Sequence, residues 1–277
     1  YGNTSLIYMC PAQEPWQTIM ADSTKRMTKD IGLDVTYIDM VTASGVRECY
    51  DPTHNHPLGG GSHWMDGYRK MFKDMHSQSK QGSPNITEGA NDFLVDQVDA
   101  FLTIGFVTHN QVPALSAVYA GKVQIIGTDT GASDYGYADG IDSEKFYGRV
   151  AQSYIFGVQQ GRYWMSLANA QHSDRARKAA VFAKKLGQLR VRLKDFISFG
   201  RMLKPLQITG DIPTVTFPAH RFPNRYQESV VTSAIQTSTW SDGENVMIMF
   251  VNGKAPDQAG DVSFSFTFDS TKYGIDS

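Results

Sequence analysis

The chain has 277 residues, of which 41% are hydrophobic and 19% charged, and this is the balance of an ordinary globular domain in water. Its formal net charge of −2 provides no long-range field that would attract nucleic acid or an anionic membrane. No apolar run approaches the roughly 18–20 residues that a membrane span requires. We therefore expect neither nucleic acid nor a membrane among its partners.

The chain is predicted to begin with a strand and a helix. The apolar run at residues 5–10 is typical of a short buried strand, which Pro11 ends. Residues 15–30 have partial helical spacing, with Pro15 suited to the first helical position and Gly32 just past the end.

Residues 34–91 hold the pattern around which the chain is organised. Two short β-prone runs, at residues 34–40 and 85–88, enclose a loop rich in glycine and histidine and then a segment with helical spacing. The apolar residues of that segment are Trp64, Met65, Tyr68, Met71, Phe72 and Met75. Strand, loop, helix and strand form a βαβ unit, and such units build parallel sheets. Because chemistry collects at the carboxyl ends of parallel strands, we expect Asp39 and Glu88 to face one pocket there.

Further strands and helices are predicted up to about residue 200. Strands are expected at residues 99–105 and 122–128, and a helix at residues 143–161. Residues 162–169 are either a last short strand or the start of a helix. Residues 174–199 are strongly helical and basic, which indicates a helix with one solvated face.

Beyond about residue 204 the pattern changes to alternation at period two. Four runs, at residues 214–220, 229–239, 245–253 and 262–268, are separated by turn residues and predict antiparallel strands. We place a domain boundary there, with residues 1–203 in one domain and residues 204–277 in a small antiparallel β-sandwich.

The alternation of strands and helices before residue 200 fits an open doubly wound sheet or a closed (β/α)8 barrel. No GxGxxG or P-loop motif follows any strand, which weakens the nucleotide-binding alternative. Carboxylates at successive strand ends favour the barrel, although only about six strands are predicted where a barrel has eight. The chain begins at Tyr1 rather than Met. We therefore expect that the first barrel strands lie in a preceding segment, or that a partner chain completes the barrel.

Two carboxylates at neighbouring strand ends are what glycoside hydrolysis needs. One attacks the anomeric carbon or activates water, and the other, with a raised pKa, protonates the leaving oxygen. The alternative, which the spacing does not exclude, is that Asp39 and Glu88 cap loops or pair with Arg47 or Arg69.

Three histidines, His54, His56 and His63, follow Cys49 in the spacing C-x4-H-x-H-x6-H. This spacing is compatible with a zinc site. The preferred interpretation is contact with sugar hydroxyls, and a purely structural role also stays open. Cys10 is expected to pack at a strand end, and two cysteines do not make a disulfide framework.

Aromatic side chains supply candidate platforms for a sugar ring. Trp16 and Trp64 flank the same end of the predicted barrel, and Tyr37 lies beside Asp39 in the sequence. Burial in the core is the alternative for both tryptophans.

Several of these segments together resemble a known family. They are residues 9–11 (MCP), 37–40 (YIDM), 49–71 (CYDPTHNHPLGGGSHWMDGYRKM), 86–88 (ITE) and 199–205 (FGRMLKP). The chain resembles bacterial glycoside hydrolases defined by a domain of unknown function and, more distantly, the endo-α-N-acetylgalactosaminidases and the α-amylase clan. The similarity covers most of residues 1–205, and HPLGGG is its most specific part.

The resemblance implies a (β/α)8 catalytic barrel followed by a β-sandwich. It implies that Asp39 is a nucleophile on the fourth strand and Glu88 an acid/base on the fifth. A third carboxylate, common in the α-amylase clan, corresponds to Asp129. Relatives of this kind have more sequence before the position of Tyr1.

The sequence therefore predicts a retaining glycosidase that acts on α-linked carbohydrate and needs no metal or cofactor. Two alternatives stay open: a non-catalytic carbohydrate-binding barrel, and a metal-dependent hydrolase that uses Cys49, His54 and His56. A periplasmic or secreted location is preferred to a cytoplasmic one.

Overall fold

The computed structural model describes residues 7–103, 112–127, 145–161, 173–218 and 229–274. The chain divides between Leu102 and Thr103 into two compact units. None of the described helices is long and apolar enough to cross a membrane.

Two helices pack against each other in the first unit. Helix α1 (Glu14–Lys25) begins next to Pro15, as predicted, and continues into a π-helical turn at Arg26–Asp30. Helix α2 (His63–Gln78) buries Trp64, Met71, Phe72 and Met75, which confirms the helical spacing of these residues.

The predicted βαβ unit is confirmed. Strands β1 (Thr36–Ile38), β2 (Asn85–Glu88) and β3 (Ala100–Leu102) lie side by side in that order and run parallel. Helix α2 lies between β1 and β2 in the chain, so it is the connection that parallel neighbours require.

The strand predicted at residues 5–10 is wrong for its described part. Residues 7–10 have no regular secondary structure, and residues 5 and 6 lie outside the described ranges. The apolar run suggested burial, but Ile7 is 85% exposed and Tyr8 and Met9 are exposed as well. A strand needs a buried face and a neighbouring strand that pairs with its backbone groups, whereas the side chains of residues 7–9 are exposed.

In the second unit, the described residues before residue 200 form four α-helices and one short strand. They are α3 (Ala114–Tyr119), β4 (Gln124–Ile126), α4 (Lys145–Ile155), α5 (Asp174–Arg192) and α6 (Lys194–Ile197). The helix predicted at residues 143–161 is confirmed at Lys145–Ile155 but is shorter than predicted, since residues 156–161 are not helical. The helix predicted at residues 174–199 is confirmed as α5 and α6, which end at Ile197. The element predicted at residues 162–169 lies outside the described residues. In α5, Ala176, Ala179 and Leu186 are buried whereas its lysines are exposed, as the amphipathic pattern indicated.

Among the described residues, seven short strands follow, and they pair antiparallel, as predicted for this part of the chain. They are β5 (Arg201–Leu203), β6 (Ile208–Thr209), β7 (Thr214–Pro218), β8 (Ser229–Ser233), β9 (Ile235–Ser241), β10 (Val246–Asn252) and β11 (Ser265–Phe266). They form three small sheets, in the orders β10-β9-β5, β11-β6 and β7-β8. The core between these strands and α4 contains Trp240, Met249, Val251 and Tyr154. A (β/α)8 barrel, a β-sandwich and a boundary at residue 203 stay predictions.

Candidate functional site

The carboxyl ends of β1 and β2 carry the two predicted carboxylates. The last register pair of these strands is Ile38 with Thr87. Asp39 directly follows β1 and Glu88 is the last residue of β2, so both lie at this edge of the sheet. The sequence pattern alone was sufficient to place both residues at this edge.

The two carboxylates lie in different surroundings. Asp39 is exposed, and its Oδ1 accepts a hydrogen bond of 2.9 Å from the Tyr37 hydroxyl. Glu88 is only 6% exposed. Burial disfavours the charged form of a carboxylic acid, and a hydrogen bond to a carboxylate favours it.

The arginines considered as structural partners have other contacts. Both Nη atoms of Arg69 bond the carboxylate of Asp96 at 2.6 Å. Arg47 donates to the Tyr8 hydroxyl at 3.2 Å and lies over the Tyr8 ring.

A turn after β1 packs on the end of β2. Met40, the residue after Asp39, has a left-handed backbone with φ of 64°. Non-glycine residues adopt this conformation rarely, and they do so mostly where the surroundings enforce it. The Thr42 hydroxyl contacts the carbonyl oxygens of Glu88, at 2.6 Å, and of Gly89. Thr42 was not among the predicted site residues, because no local pattern identifies it.

The aromatic candidates differ in exposure. Tyr37 is 43% exposed and Trp16 is half-buried, so each presents some surface to solvent. Trp64 is 4% exposed and packs edge-to-face on Tyr68, with ring centroids 5.1 Å apart. Trp64 is therefore buried in the core, which was the alternative to stacking on a sugar ring. Asp129 lies outside the described residues.

A second group of side chains converges beside the start of α2. One ligand atom each from Cys10, Cys49, His54 and His56 lie within 4.8 Å of one another. Cys10 Sγ is 3.3 Å from His56 Nε2, and Cys49 Sγ is 3.2 Å from His54 Nδ1. Burial and, after it, the neighbouring Cys49 thiol raise the pKa of the Cys10 thiol.

His63, the third histidine of the motif, is not a member of that group. Its ring stacks on the His56 ring with centroids 4.0 Å apart and an interplanar angle of 8°. Burial and the His56 ring lower the pKa of His63.

The expectation that Cys10 only packs at a strand end is wrong, because its thiol faces His56. One sequence signal was available. Each of the two cysteines precedes one of two neighbouring helices, Cys10 just before α1 and Cys49 in the loop before α2.

The N-terminal part of the chain matches a family model described as Domain of unknown function (DUF6259), over residues 1–129. A protein of Monosiga brevicollis named "Putative glycoside hydrolase 22789" is 28% identical over 232 residues, which are 74% of this chain and 19% of that protein. A protein of Bacteroides thetaiotaomicron named "Putative glycoside hydrolase" is 24% identical over 248 residues, which are 87% of this chain and 34% of that protein. The chain thus spans about a fifth and about a third of the length of these two relatives.

Proposed function

We propose that the chain is part of a retaining glycoside hydrolase that cleaves α-linked carbohydrate, with Asp39 as nucleophile and Glu88 as general acid and base. The observation that carries the proposal is the position of Asp39 and Glu88 at the carboxyl ends of adjacent parallel strands, directly after the register pair Ile38–Thr87. The names of the two relatives agree with this chemistry at a general level. The linkage and the retaining mechanism come from the resemblance to the α-amylase clan.

The spacing of neighbouring strands supports a retaining mechanism. Adjacent strands stand about 4.7–4.9 Å apart. Retaining enzymes hold their two carboxyl groups about 5–5.5 Å apart, whereas inverting enzymes need about 6.5–9.5 Å to admit a water molecule. Carboxylates at the carboxyl ends of neighbouring strands suit the shorter distance.

The different surroundings of the two carboxylates support their roles. The Tyr37 hydroxyl donates to Asp39 and orients this carboxylate, as the role of a nucleophile requires. Glu88 is buried, which favours the protonated form that a general acid needs.

The two roles combine in a double displacement. Glu88 gives its proton to the leaving oxygen while Asp39 attacks the anomeric carbon, and a glycosyl ester forms on Asp39. The negative charge of Asp39 is then gone, so Glu88 loses less by ionising and can take a proton from the incoming water. Water displaces Asp39, and the product keeps the configuration of the substrate.

The test is hydrolysis of a panel of aryl α- and β-glycosides, with the anomer that forms first identified by NMR. We expect activity on α-glycosides with net retention. Asp39→Ala should be inactive. Glu88→Ala should lose about 10²–10⁴-fold in kcat on substrates with poor leaving groups and keep the first step on activated ones.

Two additions sharpen this experiment. Azide should rescue turnover of Glu88→Ala on an activated substrate and give a glycosyl azide of retained configuration, since azide needs no general base. Asp34→Ala removes an exposed carboxylate that pairs with Lys80 at 3.1 Å, and it should leave activity unchanged. Activity in Asp39→Ala, or an azide product of inverted configuration, would refute the assigned roles.

A further inference from the structure

We propose that Cys10, Cys49, His54 and His56 bind one zinc ion in a closed structural site, which ties the segment before α1 to the loop before α2. The four side chains already converge, with one ligand atom of each within 4.8 Å of the others. The proposal concerns a site of its own and does not depend on the hydrolase activity.

Two of the ligand-atom separations are close to those of tetrahedral zinc, and the others are at most 4.8 Å. Zinc lies about 2.3 Å from thiolate sulfur and about 2.0–2.1 Å from imidazole nitrogen, so its ligands stand about 3.3–3.8 Å from one another in a tetrahedron. The pairs Cys10 Sγ to His56 Nε2, at 3.3 Å, and Cys49 Sγ to His54 Nδ1, at 3.2 Å, are close to that range.

In each histidine, the ring nitrogen that does not face a cysteine lies near an oxygen acceptor, as is usual for metal-bound histidines. His56 Nδ1 lies 2.8 Å from the carbonyl oxygen of Pro57, which only accepts, so this nitrogen carries the hydrogen. The lone pair is therefore on His56 Nε2, the atom that faces Cys10. A backbone carbonyl on the outer ring nitrogen is the usual support of a metal-bound histidine.

His54 has a carboxylate in the same position. Its Nε2 lies 3.5 Å from Asp51 Oδ2, while its Nδ1 faces Cys49. The amide and hydroxyl of Thr53 both donate to Asp51 Oδ1, at 2.9 and 2.7 Å, and fix this carboxylate in place. Asp51 is thus a fixed anion next to a histidine, the second arrangement that supports metal-bound imidazole.

The loop has little else to hold His54 and His56 together. Residues 50–58 are exposed except for these two histidines, so no apolar core orders the loop. Its base is closed by a two-bond antiparallel bridge between Cys49 and Gly59. A metal ion would supply the missing cross-link between the histidines and this base.

Cys10 is brought to the loop by the packing of α1 on α2. Gln17 donates to the carbonyl oxygen of Pro11 at 2.8 Å. The backbone of Pro11 and Ala12 lies so close to Gly67 that a Cβ on Gly67 would be 2.5 Å from the Pro11 carbonyl carbon. The residue after Cys10 is therefore anchored on α2, near the end of the loop that carries the other three ligands.

The ligand set indicates the metal and its role. Two sulfurs and two nitrogens in a tetrahedral set are typical of zinc. Four protein ligands leave no position for water or substrate, which distinguishes a structural zinc site from a catalytic one. This separates the proposal from a metal-dependent hydrolase.

The test begins with the metal content of the wild-type chain, purified under reducing conditions without chelators. We expect about one zinc per chain. Replacement of zinc by Co²⁺ should give the d–d absorption of a tetrahedral site and a charge-transfer band from two thiolates. Neither measurement requires a substrate, so a failure here and a failure of the glycosidase assay are distinguishable.

Variants then identify the ligands. Cys10→Ser should roughly halve the thiolate-to-cobalt band, whereas His63→Gln should leave it unchanged, because Cys10 and not His63 is the fourth ligand. Asp51→Asn should weaken zinc binding by about 10-fold or more. Glu48→Gln is the matched control. The Glu48 carboxylate accepts a hydrogen bond from the Tyr50 hydroxyl, and this contact involves neither histidine.

Three results would overturn the proposal. They are the absence of both zinc and a cobalt spectrum in the reduced wild-type chain, re-formation of a Cys10–Cys49 disulfide when the reduced wild-type chain is offered zinc, and an unchanged cobalt spectrum in Cys10→Ser. The first two results use only the wild-type chain, so the proposal can be refuted even if a variant fails to fold.

Discussion

The Thr42 hydroxyl donates to the carbonyl oxygen of Glu88, with 2.6 Å between the two oxygens. The amide of Thr42 contacts the same carbonyl at 3.3 Å, and its hydroxyl also contacts the carbonyl of Gly89. Three contacts of one residue thus bind the turn that follows Asp39 to the strand end that carries Glu88. The relative position of the two carboxylates depends on this turn.

We expect Thr42→Val to lower the free energy of unfolding by about 0.5–1.5 kcal/mol, because valine keeps the shape and removes the hydroxyl bond. Urea denaturation measures this change. Thr42→Ser keeps the hydroxyl and should retain most of the stability. An equal loss in both variants would show that the methyl group, and not the hydrogen bond, stabilises the turn.

A second prediction concerns the contact between α1 and α2 at Gly67. We expect Gly67→Ala to destabilise the chain by about 1–3 kcal/mol, since the new Cβ would overlap the backbone of Pro11 and Ala12. The higher helix propensity of alanine, about 1 kcal/mol, opposes this loss but does not cancel it. The shift of Pro11 should also displace Cys10 and reduce the zinc content of the purified protein.

The matched control is Gly187→Ala in the interior of α5. A Cβ at Gly187 meets nothing within 4 Å, so only the helix propensity changes and we expect a gain of about 0.5–1 kcal/mol. Thermal unfolding of both variants gives the two signs. A gain in Gly67→Ala would mean that α1 moves away from α2 at no cost.

The sequence alone predicted the helices and strands that are marked by the spacing of their apolar residues. The spacing of Trp64, Met71 and Met75 predicted α2, and the two β-prone runs around it predicted parallel strands that end in Asp39 and Glu88. Periodicity also predicted the burial that is observed for Trp64, as the alternative to sugar stacking.

Contacts between distant positions were not predictable in this way. Cys10 meets His56 across 46 positions, and the local apolar run pointed instead to a buried strand. Only the packing of Gly67 on Pro11 brings Cys10 there, and a glycine within a helix pattern does not reveal which backbone it will contact. For the same reason the period-two pattern predicted β9 but not its pairing with β5, which was not predicted as a strand.

A third prediction concerns the ion pair between Arg69 and Asp96. Hydrogen bonds from Arg69 lower the pKa of Asp96 to about 2. An unfolded aspartate has a pKa of about 3.9, so the pair stabilises the folded chain above about pH 4 and the contribution is lost as the pH falls toward about 2. Because the Asp96 side chain is 55% exposed, we expect only about 0.5–1 kcal/mol for this bidentate pair.

Urea denaturation of Asp96→Asn at several pH values tests this sign. The variant should be less stable than wild type at pH 7, and the difference should disappear near pH 2. Asp34→Asn, which breaks a single exposed contact with Lys80, should change stability little at either pH. A difference that grows on acidification would show that Asp96 is protonated, not ionised, in the folded chain.

The last prediction concerns a buried guanidinium in the second unit. Arg190 of α5 donates to the carbonyl of Gly157 at 3.0 Å and to the side-chain oxygen of Gln124 at 3.2 Å. Burial lowers the pKa of Arg190 to about 10, so it stays charged at neutral pH, and burial raises the pKa of the nearby Tyr154 hydroxyl to about 12. The two acceptors belong to different elements, which Arg190 therefore holds together.

We expect Arg190→Met to cost about 1–3 kcal/mol at pH 7, because both acceptors lose their donor while a buried charge is removed. Arg190→Lys should cost more, since it keeps the charge buried and a single ammonium group cannot match the fork that reaches both acceptors. Burial lowers the pKa of a lysine, so the unfolded lysine variant binds more protons than the folded one, and its stability should rise with pH. The difference in the free energy of unfolding between the two variants should therefore narrow from pH 7 toward about pH 10.

The control is Arg177→Met. It removes an exposed arginine of the same helix that pairs locally with Asp174, and it should change stability by less than about 0.5 kcal/mol. Urea denaturation of the three variants gives the order, and a lysine variant more stable than the methionine variant at pH 7 would contradict the burial of this charge.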